Sequence, residues 1–412
     1  MMKRSTQAIG RALFGALVMW LVATAGWSQS LTWLGVLPDG SSSEAWGVSA
    51  DGSVVVGWAA TSGLARQAYA FRWTAAGGMQ NLGTLLNGHW SFAYGVSADG
   101  SVVVGWAINS DGYSRAFRWE NGVMQDLGTL GGDGSAAWGV SADGSVVVGG
   151  AHNAAGQSRA FRWTVEGIQD LGTLGGDGTA AWSVSADGSI VVGVSYNAAG
   201  YSRAFRWTAE EGMQELGTLP GGTESWAEGV SADGSVVVGR ARNATGRIRA
   251  FRWTAAGGMQ ELGTLPGGTE SWALGVSADG SVVVGVSQNA YRQRRAFRWT
   301  AAGGMENLNI TYASLLTPGS FLSDARAISP DGRYIVGSGY NAATGRSEAF
   351  LLDTGFPLRG DVDRSGCVDD ADLLAVLFAF GSRGYRNEDL NWDGGVDDAD
   401  LLQVLFNFGS GC

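Results

Sequence analysis

Beyond residue 25 this 412-residue chain contains no lysine, no cysteine before Cys367, and only two histidines, His89 and His152. Those absences exclude a lysine nucleophile and leave little for triad or thiol catalysis. Positive charge is scarce as well: the net charge is −11, a balance that disfavours nucleic acid and anionic membrane surfaces. No apolar run after residue 25 is long enough to span a bilayer. Before it, Lys3, Arg4 and Arg11 lead into an apolar stretch ending in Ala23-Thr24-Ala25, the pattern of a cleaved secretory signal over residues 1–25, with a membrane anchor as the other reading. Cleavage removes three positive charges and no acids, takes the net charge to about −14, and leaves nothing to insert into a membrane.

What the chain has in excess is glycine, 67 residues, placed at turns. Seven near-copies of one segment fill it. The phrase V-S-A-D-G-S-V-V-V-G recurs around Asp51, Asp99, Asp143, Asp187, Asp233, Asp279 and, degenerate, Asp331, at spacings of 44 to 52 residues. With it recur A-F-R-W, at Phe71, Phe117, Phe161, Phe205, Phe251 and Phe297, and M-Q-x-L-G-T-L. The apolar runs are too short for helices and are broken by Asp-Gly and Gly-Gly, so each copy supplies four strands joined by tight turns. In the fifth copy these are Ala227–Ser231, Ser235–Val238, Arg249–Trp253 and, read cyclically, Met213–Leu219. The unbroken V-V-V predicts a strand buried on both faces.

Four short antiparallel strands at this period match a propeller blade, so the fold class expected over residues 31–352 is all-β, a seven-bladed β-propeller; a β-solenoid is the runner-up. The phase of the repeat predicts closure. The chain opens with a lone fourth-strand phrase, Leu31–Leu37, and the last copy stops after its third strand at Leu352, so the N-terminal strand completes the last blade and removes the open edges. The repeated phrases resemble the extracellular HAF repeats, with Arg115, Arg159, Arg203, Arg249 and Arg295 where that family has histidine. The resemblance implies fold and secretion and carries no settled activity.

After a connector at residues 353–360 the composition turns acidic: residues 361–412 carry eleven acids and three arginines, in two copies of one pattern. Oxygen donors at loop positions 1, 3, 5, 9 and 12 with Gly at 6 are what a calcium loop requires. They are Asp361, Asp363, Ser365, Asp369 and Asp372, then Asp389, Asn391, Asp393, Asp397 and Asp400, with the carbonyls of Cys367 and Gly395 at position 7. Two Ca2+ ions are expected. Each loop is followed by an L-L-x-V-L-F helix with none before it, and the pair resembles a type I dockerin over residues 361–412. That resemblance implies a small α-helical calcium-folded module, a cohesin-like partner, and partner selection by loop positions 10 and 11, here Asp370-Ala371 and Asp398-Ala399. The repetition of those residues implies binding in two related orientations. A calcium clamp or surface tether without a partner is the plainer alternative. In an oxidising compartment Cys367 and Cys412 are expected to form a disulfide, the alternative being two free thiols.

Three rings in the propeller are candidates for recognition. The hairpin aspartates suit turns better than cations. Asn109, Asn153, Asn197, Asn243, Asn289 and Asn341, with Thr61 in the first copy, suit turn initiation, though their amides also suit sugar hydroxyls. Trp46, Trp90, Trp138, Trp182, Trp226 and Trp272 precede the first strand of six copies and form the candidate ligand rim for carbohydrate, set against packing between blades. The A-F-R-W tryptophans Trp73, Trp119, Trp163, Trp207, Trp253 and Trp299 are read as blade packing.

An active site requires broken symmetry, and the sequence breaks it at Asn309–Ser323 and at Asn87-Gly88-His89-Trp90. Glu215, Glu224, Glu228, Glu261 and Glu270 would be available for glycoside chemistry. The expectation is a secreted, non-catalytic recognition or scaffold protein attached to an extracellular complex or the cell surface; the alternative is a polysaccharide-acting hydrolase or lyase carried by the C-terminal module.

Overall fold

Each V-S-x-D-G phrase folds into a hairpin because its serine and aspartate satisfy the turn and its valines have a neighbour on either face. In the computed structural model, which describes residues 29–62, 67–86 and 88–412, Ser141 Oγ donates to Asp143 Oδ1 at 2.6 Å and accepts Val146 N–H at 2.9 Å. Asp143 also accepts Ser145 N–H at 2.9 Å. Gly144 takes φ +73°, and a Cβ there would lie 2.6 Å from Val102 of the preceding blade. Glycine is needed twice over, for the left-handed backbone and for the neighbour's approach. Burial opposes the Asp143 charge, but the bonds from Ser141 and Ser145 outweigh it and hold the carboxyl below the ordinary range. The aspartates thus serve the turns.

Seven four-stranded antiparallel sheets result. The first strands, Gly40–Val48, Ser91–Val96, Gly131–Val140, Gly175–Val184, Ser225–Val230, Ser271–Val276 and Phe321–Ile328, line a central channel. The V-V-V strands follow and are buried, and the A-F-R-W strands come third, with all seven phenylalanines, Phe71 to Phe350, without exposed surface. Cores lie between blades: Val102, Val104 and Ala116 of the second pack with Ala137, Val147 and Phe161 of the third. Trp163 and Trp207 join such cores, the packing role read for the A-F-R-W tryptophans. Arg72, Arg118, Arg162 and Arg252 of A-F-R-W each donate from Nε at 3.2 Å to the turn glycine carbonyl of the next blade.

In the fifth blade the second strand runs on to Arg242, and the fourth is Gly258–Glu261. The cyclic assignment is corrected: Gly212–Glu215 pairs with Ser202–Thr208 of the blade before. A turn with Gly258 at φ +62° reverses the chain directly, so each copy supplies its own outer strand.

Closure occurs as expected. Ser30–Trp33 pairs antiparallel with Arg346–Asp353, Leu31 opposite Leu352 and Trp33 opposite Phe350. Around the channel, the backbone N–H of Ala50, Ala98, Ala142, Ala186, Ala232 and Ala278 each donates to the carbonyl of the corresponding residue one blade on, at 2.9 to 3.1 Å. The seventh such position is Pro330, which has no N–H to donate, so this circle of bonds is broken at one place.

Among the described residues there are three short α-helices, α1 (Leu308–Thr311), α2 (Asp370–Ala379) and α3 (Asp398–Asn407), and a 3-10 turn at Ala313–Leu315. Among the described residues no helix is long and apolar enough to cross a membrane. In the C-terminal module α2 and α3 enclose Val362, Val368, Val376, Ala379, Val396 and Val404. Its halves are stitched reciprocally: Val368 exchanges backbone bonds with residues 409 and 410, Val396 with 381 and 382. The leader reading over residues 1–25 and Asn87 lie outside the described residues.

Candidate functional site

The channel is not a uniform tube. One mouth is ringed by Trp46, Tyr94, Trp138, Trp182, Glu228, Leu274 and Arg326 around a cavity of about 320 Å³. These residues occupy one position in all seven blades, three before the serine of the hairpin phrase. In every blade the strand register slips there, for example between Ala45 and Gly47 and between Ala325 and Ala327. Each ring residue is therefore the extra residue of a β-bulge, a device that re-aims a side chain, here into the channel.

Four contiguous blades give an aromatic wall and three give a carboxylate, an aliphatic chain and a guanidinium. Trp46 meets Tyr94 edge-on with ring centroids 4.8 Å apart. The Arg326 guanidinium lies 3.8 Å from the Trp46 ring centroid and pairs with Glu44 and Asp324, each at 3.1 Å. Across the ring, Glu228 pairs with Arg240 at 3.1 Å, and Arg240 packs against Trp182 and Trp226. Both cations are thus paired with the protein's own acids.

Glu228 has 17% of its side-chain surface exposed, facing the channel. Burial pushes its carboxyl up to about 7, against the opposing pull of Arg240. Because the folded chain holds this proton to a higher pH than the unfolded one, whose glutamate titrates near 4.5, folding takes up a proton in between and stability falls as pH rises through that window. Glu228→Gln is expected to flatten the pH dependence of urea unfolding between about pH 5 and pH 8, with the variant gaining relative to the parent at the upper end. An unchanged slope would show that Glu228 ionises as an ordinary glutamate.

The expected tryptophan rim is corrected by this register. Trp46, Trp138 and Trp182 line the mouth, but Trp226 and Trp272 stand two positions earlier, and Trp90 four positions earlier and 41% exposed. Tyr94, Glu228 and Leu274 take the vacated places, and Arg326 completes the ring in the seventh blade. Counting back from the serine of V-S-x-D-G, rather than following tryptophan, finds the ring. The asparagines are turn formers: Asn153 Oδ1 accepts the N–H of Ala155 and Gln157 at 3.0 and 2.9 Å, and Asn109, Asn197, Asn243 and Asn289 repeat this.

Among the described residues, the two symmetry breaks noted in the sequence are taken up by structural bonds. At Asn309–Ser323 the Asn309 side chain bonds both backbone groups of Leu322, at 2.7 and 2.9 Å, and Leu308 and Tyr312 are buried against the last blade. The Gly88-His89-Trp90 segment keeps the backbone bonds of its counterparts. Glu215, Glu224 and Glu261 are paired with Arg203, Arg242 and Arg249, and Glu270 accepts from Gln288 at 3.0 Å.

The opposite mouth is covered by the C-terminal module. Trp392, 6% exposed, meets the channel end lined by Ala50, Ala98, Ala142, Ala186, Ala232, Ala278 and Pro330. Arg364 donates to Asp279 Oδ2 at 2.6 Å and Ser281 Oγ at 3.1 Å, and Arg359 to the carbonyl of Asp51 at 3.0 Å and the Tyr334 hydroxyl at 3.1 Å. Arg364 and Trp392 are both position 4 of their loops, at φ +59° and +60°.

Within the first loop one oxygen each of Asp361, Asp363 and Asp372 lies within 4.8 Å of the others, a cluster able to hold a metal ion. Asp361 Oδ1 is buried without a hydrogen-bond partner. Burial, then the Asp372 and Asp363 charges, raise the Asp361 carboxyl against the Gly366 N–H. In the second loop burial, with Asp400 and Asp393, pushes Asp389 up to about 7 against the Gly394 N–H. Crowded buried carboxylates of this kind fit a bound cation, which would offset their repulsion. Asp369 and Asp397 cap α2 and α3, accepting the N–H of Ala371 and Ala399 at 2.8 Å, while Asp372 and Asp400 complete capping boxes. Ser365 Oγ donates to the Cys367 carbonyl at 3.0 Å, and Asn391 Nδ2 to Asp393 at 2.9 Å. Cys367 and Cys412 are disulfide-bonded, with Cα atoms 4.9 Å apart.

No protein-family model and no curated protein matches the chain. Among solved structures, an oligogalacturonate lyase in complex with manganese matches at a TM-score of 0.51 and 12% identity, over 78% of this chain and 92% of that one. An oligogalacturonate lyase from Vibrio parahaemolyticus matches at a TM-score of 0.53 and 11% identity, over 78% and 93%. At such identities the likeness concerns architecture alone, and with the seven closed sheets it makes the body of this chain a seven-bladed β-propeller.

Proposed function

We propose that this chain is a secreted, non-catalytic recognition or scaffold protein, a propeller that the C-terminal module attaches to an extracellular complex or the cell surface. The observation that carries the reading is the outward face of that module. One side is spent on the propeller, through Arg364 and Trp392. The other presents Asp370, Ala371, Leu374, Leu377 and Phe378 on α2 and the matching Asp398, Ala399, Leu402, Leu405 and Phe406 on α3, with Phe378 86% and Phe406 82% exposed. Apolar surface repeated on two helices marks a protein-binding face. Its duplication fits a cohesin-like domain docking on either half. Two calcium ions, one per loop, would hold the helices in register, with Asp361, Asp363, Ser365, Asp369, Asp372 and the Cys367 carbonyl around one, and Asp389, Asn391, Asp393, Asp397, Asp400 and the Gly395 carbonyl around the other.

The test is capture of an extracellular partner by the full chain, with and without chelator. Leu374→Asp with Phe378→Asp, or Leu402→Asp with Phe406→Asp, each disables one half and is expected to weaken binding only about twofold, the statistical factor for losing one of two equal modes. All four substitutions together are expected to abolish it. Binding indifferent to chelator or to all four changes would refute the attachment reading.

A further inference from the structure

The aromatic mouth is a pocket with one entrance. Below the bulge ring the channel is lined by valine side chains, and Trp392 covers its far end, so no chain can thread it. The cavity of about 320 Å³ stands at the small end of the range for ligand sites, ~300–1,000 Å³. Its occupant is therefore an end, and the ring's chemistry says of what.

Aromatic faces on four adjacent blades offer stacking surface for rings with C–H faces. Their positions are held in advance: Trp46 lies between Arg326 and Tyr94, Trp182 lies against Arg240, and the Tyr94 hydroxyl accepts the Trp106 indole N–H at 3.4 Å. Little ordering cost is left for binding. The polar wall carries Glu228, whose buried Oε1 is turned to Arg240 and whose side chain still keeps 17% of its surface exposed. An anionic ligand finds no free cation here, since Arg240 and Arg326 are already paired within the protein. The uronate chains of the lyases with similar architecture are a poor match for these residues.

We infer that the channel mouth is a binding site for the end of a neutral oligosaccharide, stacked on Trp138 and Trp182 with a hydroxyl on Glu228. The inference rests on reading the propeller as the recognition half, and it names the ligand class. Binding is expected to be end-on, so a bulky label on one terminus blocks it and the same label on the other does not.

The experiment titrates the full chain with neutral hexaoses (of glucose, mannose, xylose and N-acetylglucosamine types) and with hexagalacturonate, following tryptophan fluorescence and heat. At least one neutral hexaose is expected to bind and hexagalacturonate is not. Trp138→Ala is expected to weaken binding at least tenfold, while Trp90→Ala, outside the ring, leaves it unchanged. Leu274→Trp narrows the mouth from the opposite wall and gives a second loss that does not depend on the packing of Trp138. Failure of all neutral hexaoses, preference for the uronate, or binding that survives both ring changes would overturn the proposal. Partner capture through α2 and α3, scored on the same variants, is untouched by Trp138→Ala, so the two readings fail separately.

Discussion

Calcium added to the chelated full-length chain is expected to raise the melting temperature of the propeller as well as that of the C-terminal module. The coupling runs through position 4 of each loop. Arg364 and Trp392 hold left-handed backbone between metal-ligand candidates, and both are spent on the propeller, one on the Asp279 turn and the other on the channel end. A filled loop would fix that backbone, and a chelated one would let it go. Free ligand at ~100 times its Kd stabilises a state that alone binds it by about 2.7 kcal/mol. Shared with the propeller, that amounts to a shift on the order of 5 °C. The two units are not expected to melt as one, so scanning calorimetry, which separates transitions, is the measurement. Arg364→Ala with Trp392→Ala is expected to keep calcium binding, because neither residue is a ligand, and to lose the shift of the propeller transition. A propeller transition that moves equally in parent and variant would show that the contact transmits nothing.

A chain lacking residues 29–37 is expected to associate with other copies. These residues supply the strand opposite Arg346–Asp353, and with it Trp33 against Phe350 and buried Leu34 and Leu37 between the last blade and the first. Ser43 Oγ locks the seam, accepting Ala349 N–H at 2.9 Å and donating to the Gly35 carbonyl at 2.5 Å. Burying a leucine is worth roughly 1.5–3 kcal/mol, so the two leucines alone contribute a large part of a total stability of about 5–15 kcal/mol. Deletion also bares a full strand edge, which recruits other chains. Light scattering behind size exclusion is expected to show oligomers or aggregate, whereas a chain ending at Gly360, with the seam intact, stays monomeric. A monomeric deletion mutant with unchanged melting would mean that the last blade holds as three strands.

The hairpins and the seam were legible because their determinants are local or periodic. Asp-Gly with a preceding serine closes a turn in any blade, and V-V-V needs only neighbours of its own kind. The outer strand of the fifth copy was misassigned for lack of one conformational fact, that Gly258 turns the chain back at once. The mouth was missed for a different reason. A bulge shifts strand register by one residue without any mark in composition, so the eye follows Trp226 and Trp272, which stand two positions from the ring, and passes over Glu228 and Leu274, which are in it.

Repetition thus determined from sequence alone that this chain is a β-propeller of seven blades whose ends meet, because a repeating unit that cannot bury its own faces must stack and close. The spacing of oxygen donors marked two candidate metal loops in the same way, since a loop of fixed length brings fixed positions together. Only the tertiary structure decided which seven side chains share the channel mouth, that Arg240 and Arg326 there are already paired, and that Trp392 covers the other end. These are relations between residues from different blades or from different modules, and Arg326 and Glu44, 282 residues apart, become neighbours only when the circle closes.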